Sequence, residues 1–220
     1  MKINVLTLFP DYFQSVLKTS ILGKAVAKKQ IEINLINIRD FATDKHQTTD
    51  ERPYGGGPGM VMKVEPIAAA LKALGQQGQK GKANQRIILT SADGQIFDQA
   101  IARDFAKLDS LTIICGHYEG VDQRVTDLFV DEEIRIGNFV LTGGEPAAAV
   151  MIDAVSRLIP GVLGNELSNK DESHAEPGRS AFPQYTRPEI FSGKRVPKIL
   201  LTGNHAQISQ WREKNRVPVE

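Results

Sequence analysis

Short apolar segments alternate with segments of helical pattern along this chain of 220 residues. The apolar segments are KINVLTLF, IEINLINI, RIILTS and LTIICG, and their length and periodicity predict strands. Helices are predicted in DYFQSVLKTSILGKAVAKKQ with Asp11 as its N-cap, EPIAAALKALG, FDQAIARDFAKL, EGVDQRVTDLFV and EPAAAVMIDAVSRLI. Strands that alternate with helices favour an α/β layer fold with a mainly parallel sheet.

Two connections inside this pattern carry further predictions. After RIILTS, the segment ADGQ predicts a turn, and DEEIRIGNFVLTGGE predicts two short strands. The regular pattern stops after residue 160, where the chain becomes polar and rich in Gly, Pro and Ser, as is typical of a linker or a functional lid. A last helix is predicted at 205–214. We therefore divide the chain into 1–160, a linker or lid at 161–184, and a small helical region at 185–220.

Composition excludes several classes of protein. The single Cys115 excludes disulfides within the chain and a zinc site of several cysteines. His46, His117, His174 and His205 are scattered without metal-ligand spacing, so no metal site is predicted. No run of about 18 uninterrupted apolar residues occurs, and MKINVLTLFPDYF does not resemble a secretory signal. We expect a cytoplasmic protein without a membrane partner.

Three glycine-containing segments each follow an apolar strand. They are TSADG (90–94), CGHYEG (115–120) and IGNFVLTGGE (136–145). Ligands of α/β sheets bind beyond the carboxyl ends of the strands, and glycine lets main chain approach them, so these segments predict one pocket built mostly of backbone groups. The alternative is that each is an ordinary tight connection. The segments match neither the dinucleotide fingerprint nor the P-loop.

A fourth glycine segment and several charged residues can each be explained either by function or by ordinary structure. RPYGGGPGM (52–60) is either a loop against which another molecule lies or a tight connection. Glu119, Glu145, Asp171 and Glu172 are candidate general bases, but a helix N-terminus also favours Glu145 and a solvated linker also explains the last two. Between 177 and 219, eight Lys/Arg against two acids give +6, which predicts either phosphate binding or a solvated surface.

Six longer strings resemble one family. In this order they are RPYGGGPGM, CGHYEGVDQRV, IGNFVLTGGE, SRLIPGVLGNE, QYTRPE and LLTGNHAQISQWR. They are similar to the TrmD family of bacterial tRNA (guanine-N1)-methyltransferases, members of the SPOUT class, and the resemblance runs from LTLFP to Arg212. It implies a SPOUT-type parallel sheet with a deep C-terminal trefoil knot, and a homodimer whose active sites are shared between chains. It also implies that the C-terminal region binds tRNA.

The resemblance implies S-adenosylmethionine as cofactor, bent within the glycine segments. The matching cofactor positions are Thr90, Ser91, Gly94, Gly116, Tyr118, Glu119, Ile136, Gly137, Asn138, Leu141, Gly143, Gly144 and Pro146. RPYGGGPGM would lie beside the reacting guanine. The substrate-binding positions are Arg52, Tyr54, Gly55, Gly56, Gly57, Pro58, Gly59 and Met60. A Mg²⁺ requirement is implied by the resemblance alone.

The implied reaction is methyl transfer to N1 of guanine 37, beside the anticodon, in a tRNA with guanine at positions 36 and 37. A linker carboxylate removes the N1 proton and Arg157 supports the charge that develops on the guanine oxygen. The family has aspartate directly before a serine, whereas this chain has Asp171-Glu172-Ser173. Glu172 is therefore the preferred base and Asp171 the alternative.

Two further departures bear on function. The segment HAEPGRSAFPQY replaces the family's glycine-leucine-leucine run with an apparent one-residue insertion, and the chain ends soon after its Trp-Arg pair. Two other functions stay open. One is a SPOUT methyltransferase acting on ribosomal RNA or another tRNA position, and the other is a module that binds RNA or S-adenosylmethionine without catalysis.

Overall fold

The computed structural model describes residues 1–76, 80–164, 172–174 and 180–217. The chain divides into two compact units, Met1–Gly164 and Asn165–Glu220. The division lies within 161–184, the predicted linker. Asp171, one of the two candidate bases, lies outside the described residues.

The first unit is built around a sheet of five strands, all parallel, in the order β2-β1-β6-β5-β7. These strands are β1 Lys2–Thr7, β2 Glu32–Asn37, β5 Gln85–Ile96, β6 Ser110–Cys115 and β7 Glu132–Arg135. A small antiparallel pair, β3 (Asp50–Glu51) and β4 (Val61–Met62), flanks the segment 52–60. The predicted α/β fold with a parallel sheet is confirmed.

Helices cover the sheet. In the first unit they are α1 Gln14–Lys18, α2 Ser20–Ala27, α3 Val64–Ala73, α4 Gln99–Phe105, α5 Gln123–Phe129 and α6 Glu145–Ser156, with 3-10 helices at Pro10–Phe13 and Ile38–Phe41. Asp98 and Asp122 cap α4 and α5, because their carboxylates accept from the backbone N–H groups of Ile101 and Arg124. The prediction of Asp11 as a helix N-cap is wrong, since the chain there begins a 3-10 helix inside which Asp11 lies.

Apolar side chains fill both faces of the sheet. Ile3, Val5 and Ile113 belong to one buried cluster, which includes residues of α4 and α6. Leu6 and Ile114 belong to a second cluster with residues of α3 and α5. Central parallel strands are buried on both faces, which explains why their sequences are almost continuously apolar.

Two local predictions are wrong, and both errors lie at the pocket end of the sheet. ADGQ is not a turn, because β5 continues to Ile96 and absorbs the extra residues in a register shift against β7 between Thr90 and Gln95. Only one of two predicted strands forms in DEEIRIGNFVLTGGE. The chain from 136 to 144 instead forms a loop, whose Gly144 N–H donates to the Gly116 carbonyl at 2.8 Å.

The second unit contains a hairpin, a 3-10 helix and one α-helix. They are β8 Ile190–Phe191 paired with β9 Lys194–Arg195, the 3-10 helix Lys198–Leu201, and α7 His205–Lys214. The predicted helix at 205–214 is confirmed. Phe182 is buried, and the guanidinium groups of Arg212 and Arg216 lie over its ring at 4.7 and 5.3 Å from the centroid. Of the helices within the described ranges, none has the length and apolarity needed to cross a membrane.

Candidate active site

A cavity of about 440 Å³ opens at the carboxyl ends of β5, β6 and β7. Its walls come from the irregular part of β5, the loop after β6, the end of β7 and the loop 136–144. These are the three predicted glycine segments, and the sheet brings them together because adjacent parallel strands end at the same edge.

Most of the predicted cofactor positions line this cavity. They are Thr90, Ser91, Gly116, Tyr118, Glu119, Ile136, Gly137, Leu141, Gly143 and Gly144. Gly94, Asn138 and Pro146 are not among the lining residues. The Arg135 guanidinium instead donates to the Gly94 carbonyl and to the side-chain oxygen of Asn138. Pro146 lies in the first turn of α6.

Hydrogen bonds of the Thr90 side chain join β5 to the end of β6, next to Gly144. The Gly116 N–H donates to Thr90 Oγ1 at 3.0 Å, and that hydroxyl donates to the Ile114 carbonyl at 3.2 Å. A side chain at Gly144 would overlap Thr90 Oγ1. Glycine is therefore required at 144, because the main chain here packs so closely against Thr90 of β5 that no side chain fits between them.

The segment 52–60 adjoins the same cavity. The Glu119 N–H donates to the Met60 carbonyl at 3.0 Å, and the Met62 N–H donates to the Gly120 carbonyl at 2.9 Å. A side chain at Gly59 would overlap the Glu119 side chain. The predicted cofactor loop and the predicted guanine loop are therefore neighbours that share backbone hydrogen bonds.

The middle of 52–60 differs from its end. Gly55, Gly56 and Gly57 have φ values of +86°, +78° and +118°, and an added Cβ would meet nothing within 4 Å. Tyr54 beside them is fully exposed. Glycine is needed at these positions for the left-handed backbone, which other residues adopt only at a cost.

Tyr118 links the cavity to the segment before 52–60. Its φ is 60°, and the side chains of Asp50 and Arg39 lie near its hydroxyl group. Partial burial, with the nearby Asp50 carboxylate as a second cause, raises the pKa of Tyr118 above its ordinary value. The phenol is therefore neutral at pH 7, and it places the cavity wall next to Asp50 and Arg39.

Several lining residues carry no sequence signal of a site. His117 packs between the rings of Phe9 and Tyr118, with centroids 5.1 and 4.9 Å away. Phe139 and Val140 lie on the loop 136–144 and are exposed. Long-range packing brings Phe9 to His117, and no local pattern of sequence reports such a contact.

The candidate catalytic residues belong to different units. Arg157 directly follows α6, is partly buried, and its N–H donates to the Asp153 carbonyl at 3.1 Å. Glu172 lies in the second unit and is partly buried. The described residues include no group of three or more His, Cys, Asp or Glu placed to hold a metal. Burial raises the pKa of the Cys115 thiol well above its usual range, so that cysteine is not a reactive nucleophile.

The comparison with known proteins decides the family. The sequence profile described as tRNA (Guanine-1)-methyltransferase TrmD matches residues 1–218. This chain belongs to that family. The resemblance drawn from the six strings is thereby confirmed.

Relatives extend this result over nearly the whole chain. A tRNA (guanine-N(1)-)-methyltransferase of Geobacter sulfurreducens is 54% identical over 212 residues, covering 96% of this chain and 84% of the relative. A protein of the same name from Geotalea uraniireducens is 53% identical, and the match covers 97% of this chain and 85% of the relative. Another from Caldanaerobacter subterraneus is 49% identical, and the match covers 100% of this chain and 88% of the relative.

Proposed function

We propose that this TrmD-family protein transfers a methyl group from S-adenosylmethionine to N1 of guanine 37 in tRNA, beside the anticodon. The match to the family over residues 1–218 carries this proposal. The cavity formed by the three glycine segments supports it, because a methyltransferase needs a pocket for its donor next to a surface open to RNA.

The cavity suits S-adenosylmethionine in size and chemistry. Its volume of about 440 Å³ is within the range of about 300–1,000 Å³ typical of small-molecule sites. Gly116, Gly137, Gly143 and Gly144 line it, and glycine has no side chain to keep a ligand away from the main chain. When bound, the cofactor supplies a methyl group activated by its positively charged sulfur.

The segment 52–60 would hold the guanine. It adjoins Glu119 on the cavity wall, and its exposed glycines offer main chain to a planar base. Arg52, Tyr54 and Pro58 are exposed on the same segment. The predicted substrate positions, from Arg52 and Tyr54 through to Met60, are retained in this proposal.

Proton removal is the chemical step that the protein must supply. Guanine N1 carries a proton and is a poor nucleophile until a base removes it, and removal places negative charge on the guanine oxygen. Glu172 is the proposed base, Asp171 is the alternative, and the Arg157 guanidinium would stabilise the oxygen. We also propose a homodimer in the cytoplasm that shares these groups between chains.

The knot belongs to the proposal as well. The loops after β6 and β7 are in contact, with a bridge between His117 and Gly143 and the bond from Gly144 N–H to the Gly116 carbonyl. We propose a deep trefoil knot in the C-terminal half of the first unit, an exception to the rule that chains do not thread loops, and such a knot would require this contact.

The second unit would bind tRNA. Arg187, Lys194, Arg195 and the 73%-exposed Phe191 lie on or next to the β8–β9 hairpin and border a shared groove. Cations contact phosphates and an exposed aromatic ring can stack on a base. Arg212 and Arg216, by contrast, lie over Phe182, so part of the +6 charge has a packing role.

The experiment is methyl transfer from labelled S-adenosylmethionine to an unmodified tRNA transcript with guanine at positions 36 and 37. We expect incorporation into this transcript and none into a transcript with adenine at 37. Incorporation that is equal in the two transcripts would contradict the assigned position. Cofactor binding without incorporation would favour a non-catalytic binding module.

Variants of the linker separate the two candidate bases. Removing a general base lowers the rate by about 10²- to 10⁴-fold. We expect E172Q to show this loss in single-turnover assays, with S-adenosylmethionine binding unchanged, and D171N to retain most activity. The reverse result would assign the base to Asp171.

A further inference from the structure

Glu145 is a buried acid that the proposed chemistry does not use. It is the first residue of α6 and only 4% of its surface is exposed. The Thr7 hydroxyl donates to Glu145 Oε1 at 2.7 Å, while Thr7 Oγ1 itself accepts from the Phe9 N–H at 2.9 Å. Because the hydroxyl oxygen acts as an acceptor for Phe9, its single proton can be donated to Glu145. The positive end of the α6 helix dipole lies at this residue, where a carboxylate is a favourable neighbour.

The second oxygen of Glu145 lies just behind the cavity wall. Glu145 Oε2 is 3.9 Å from His117 Nδ1, and His117 lines the cavity. A Cβ on Gly143 would stand 2.6 Å from that oxygen and 2.5 Å from His117 Nδ1. Only a glycine at 143, itself a lining residue, permits the carboxylate to come this close to the cavity.

The wall has an acidic character that matches this buried charge. Its lining residues include three acids, Asp93, Glu119 and Glu133, and one arginine, Arg135. Arg135 is held by Gly94 and Asn138. In a partly buried site such an excess of negative charge favours a positively charged ligand over a neutral one.

We infer that Glu145 makes the cavity selective for the positively charged methyl donor over its neutral product. The inference rests on the proposed function, in which the cavity binds S-adenosylmethionine. Methyl transfer breaks the sulfur–methyl bond, forms the bond to guanine N1 and leaves the bonding electrons on sulfur. The product S-adenosylhomocysteine therefore carries one positive charge less than the donor. A fixed anion behind the wall weakens product binding relative to donor binding.

The same anion has a kinetic consequence. The positive charge on sulfur decreases as the methyl group leaves, so Glu145 stabilises the bound donor more than the transition state. Loss of the charge should raise KM for the donor without lowering kcat. A residue that merely supports the fold of the loops would lower kcat as well.

The test is the ratio of dissociation constants for S-adenosylhomocysteine and S-adenosylmethionine, measured by calorimetry on the full chain. We expect E145Q, which keeps shape and an acceptor for Thr7, to weaken donor binding about fivefold more than product binding, the effect of one screened charge. E145D keeps the charge and should keep the ratio. E32Q is the control for charge, because it makes the same charge change at an exposed position. The ratio of the two dissociation constants should be unchanged in E32Q.

Each outcome decides the inference. Equal weakening of both compounds in E145Q, or an unchanged ratio, overturns it while leaving the proposed function intact. Should E145Q fail to fold, G143A replaces it, because its methyl group would separate Glu145 from His117. A reduced preference for the donor in G143A supports the inference, and an unchanged ratio there overturns it. A wild-type protein that binds neither compound refutes the proposed cofactor, and the inference falls with it.

Discussion

Two groups of glycines in the first unit are glycines for opposite reasons. Gly55, Gly56 and Gly57 adopt left-handed backbone, and a side chain on any of them would meet nothing. Gly94, Gly143 and Gly144 have no positive φ, but a side chain on any of them would collide with neighbouring atoms. The first group is selected by local conformation and the second by tertiary packing.

The difference predicts where substitution is felt. In the open group, the cost of alanine is confined to the backbone of the loop. In the crowded group, alanine must displace a neighbour, and the cost depends on how readily that neighbour moves. A matched control is available in Gly164, which has neither a positive φ nor a close neighbour, so G164A should change stability by no more than about 0.5 kcal/mol.

The largest effect is expected for G94A. Its Cβ would overlap the backbone of Glu133 and Ile134 in β7, which cannot move without breaking the register of the sheet. We expect a loss of about 3 kcal/mol in the free energy of unfolding, measured by urea denaturation. A loss similar to that of G164A would show that the irregular part of β5 adapts, and that Gly94 does not belong to the crowded group.

A smaller loss of stability is expected for G144A, together with a loss of donor binding. The added methyl group would displace Thr90 Oγ1 and break its bonds with the Gly116 N–H and the Ile114 carbonyl. We expect about 2 kcal/mol of destabilisation and S-adenosylmethionine binding weakened at least about tenfold. Calorimetry measures the binding and thermal melting the stability. Unchanged binding would mean that the turn 143–144 does not shape the cofactor site.

The fold was predictable from the sequence where short apolar segments alternate with longer segments of helical pattern. The parallel sheet follows from that alternation. The errors occurred where packing overrode local signals. ADGQ reads as a turn, but its residues are absorbed in β5 because Gly94 can lie against β7.

The site was predictable only in part, and mainly through family resemblance. The glycine segments predicted a pocket, yet nothing in the sequence distinguishes Gly56 from Gly144. The contact between Thr7 and Glu145 joins residues 138 positions apart. Such a contact leaves no periodic trace, so Glu145 reads equally well as an ordinary acid at a helix N-terminus.

A still smaller loss of stability is expected for G143A. The atoms that its Cβ would meet belong to the side chains of His117 and Glu145, which can yield more easily than backbone. We expect about 1–2 kcal/mol of destabilisation by thermal melting. Because the methyl group would separate His117 from Glu145, the preference for S-adenosylmethionine over S-adenosylhomocysteine should fall as in E145Q. A preserved preference would contradict the inference that Glu145 acts through its position behind the cavity wall.

The smallest effect on stability, and the most specific effect on RNA, is expected for G56A. Its φ of +78° costs alanine about 1 kcal/mol, and no neighbour adds to that cost. Gly75 is the matched control, because it has a φ of +69° and equally open surroundings but follows α3, outside 52–60. G56A and G75A should therefore lose similar stability in urea. Only G56A should lower kcat/KM for the tRNA transcript, because only its methyl group would stand on the surface proposed for guanine. If both variants retain full activity with tRNA, the open glycines serve the turn alone, and the guanine must bind elsewhere on the rim of the cavity.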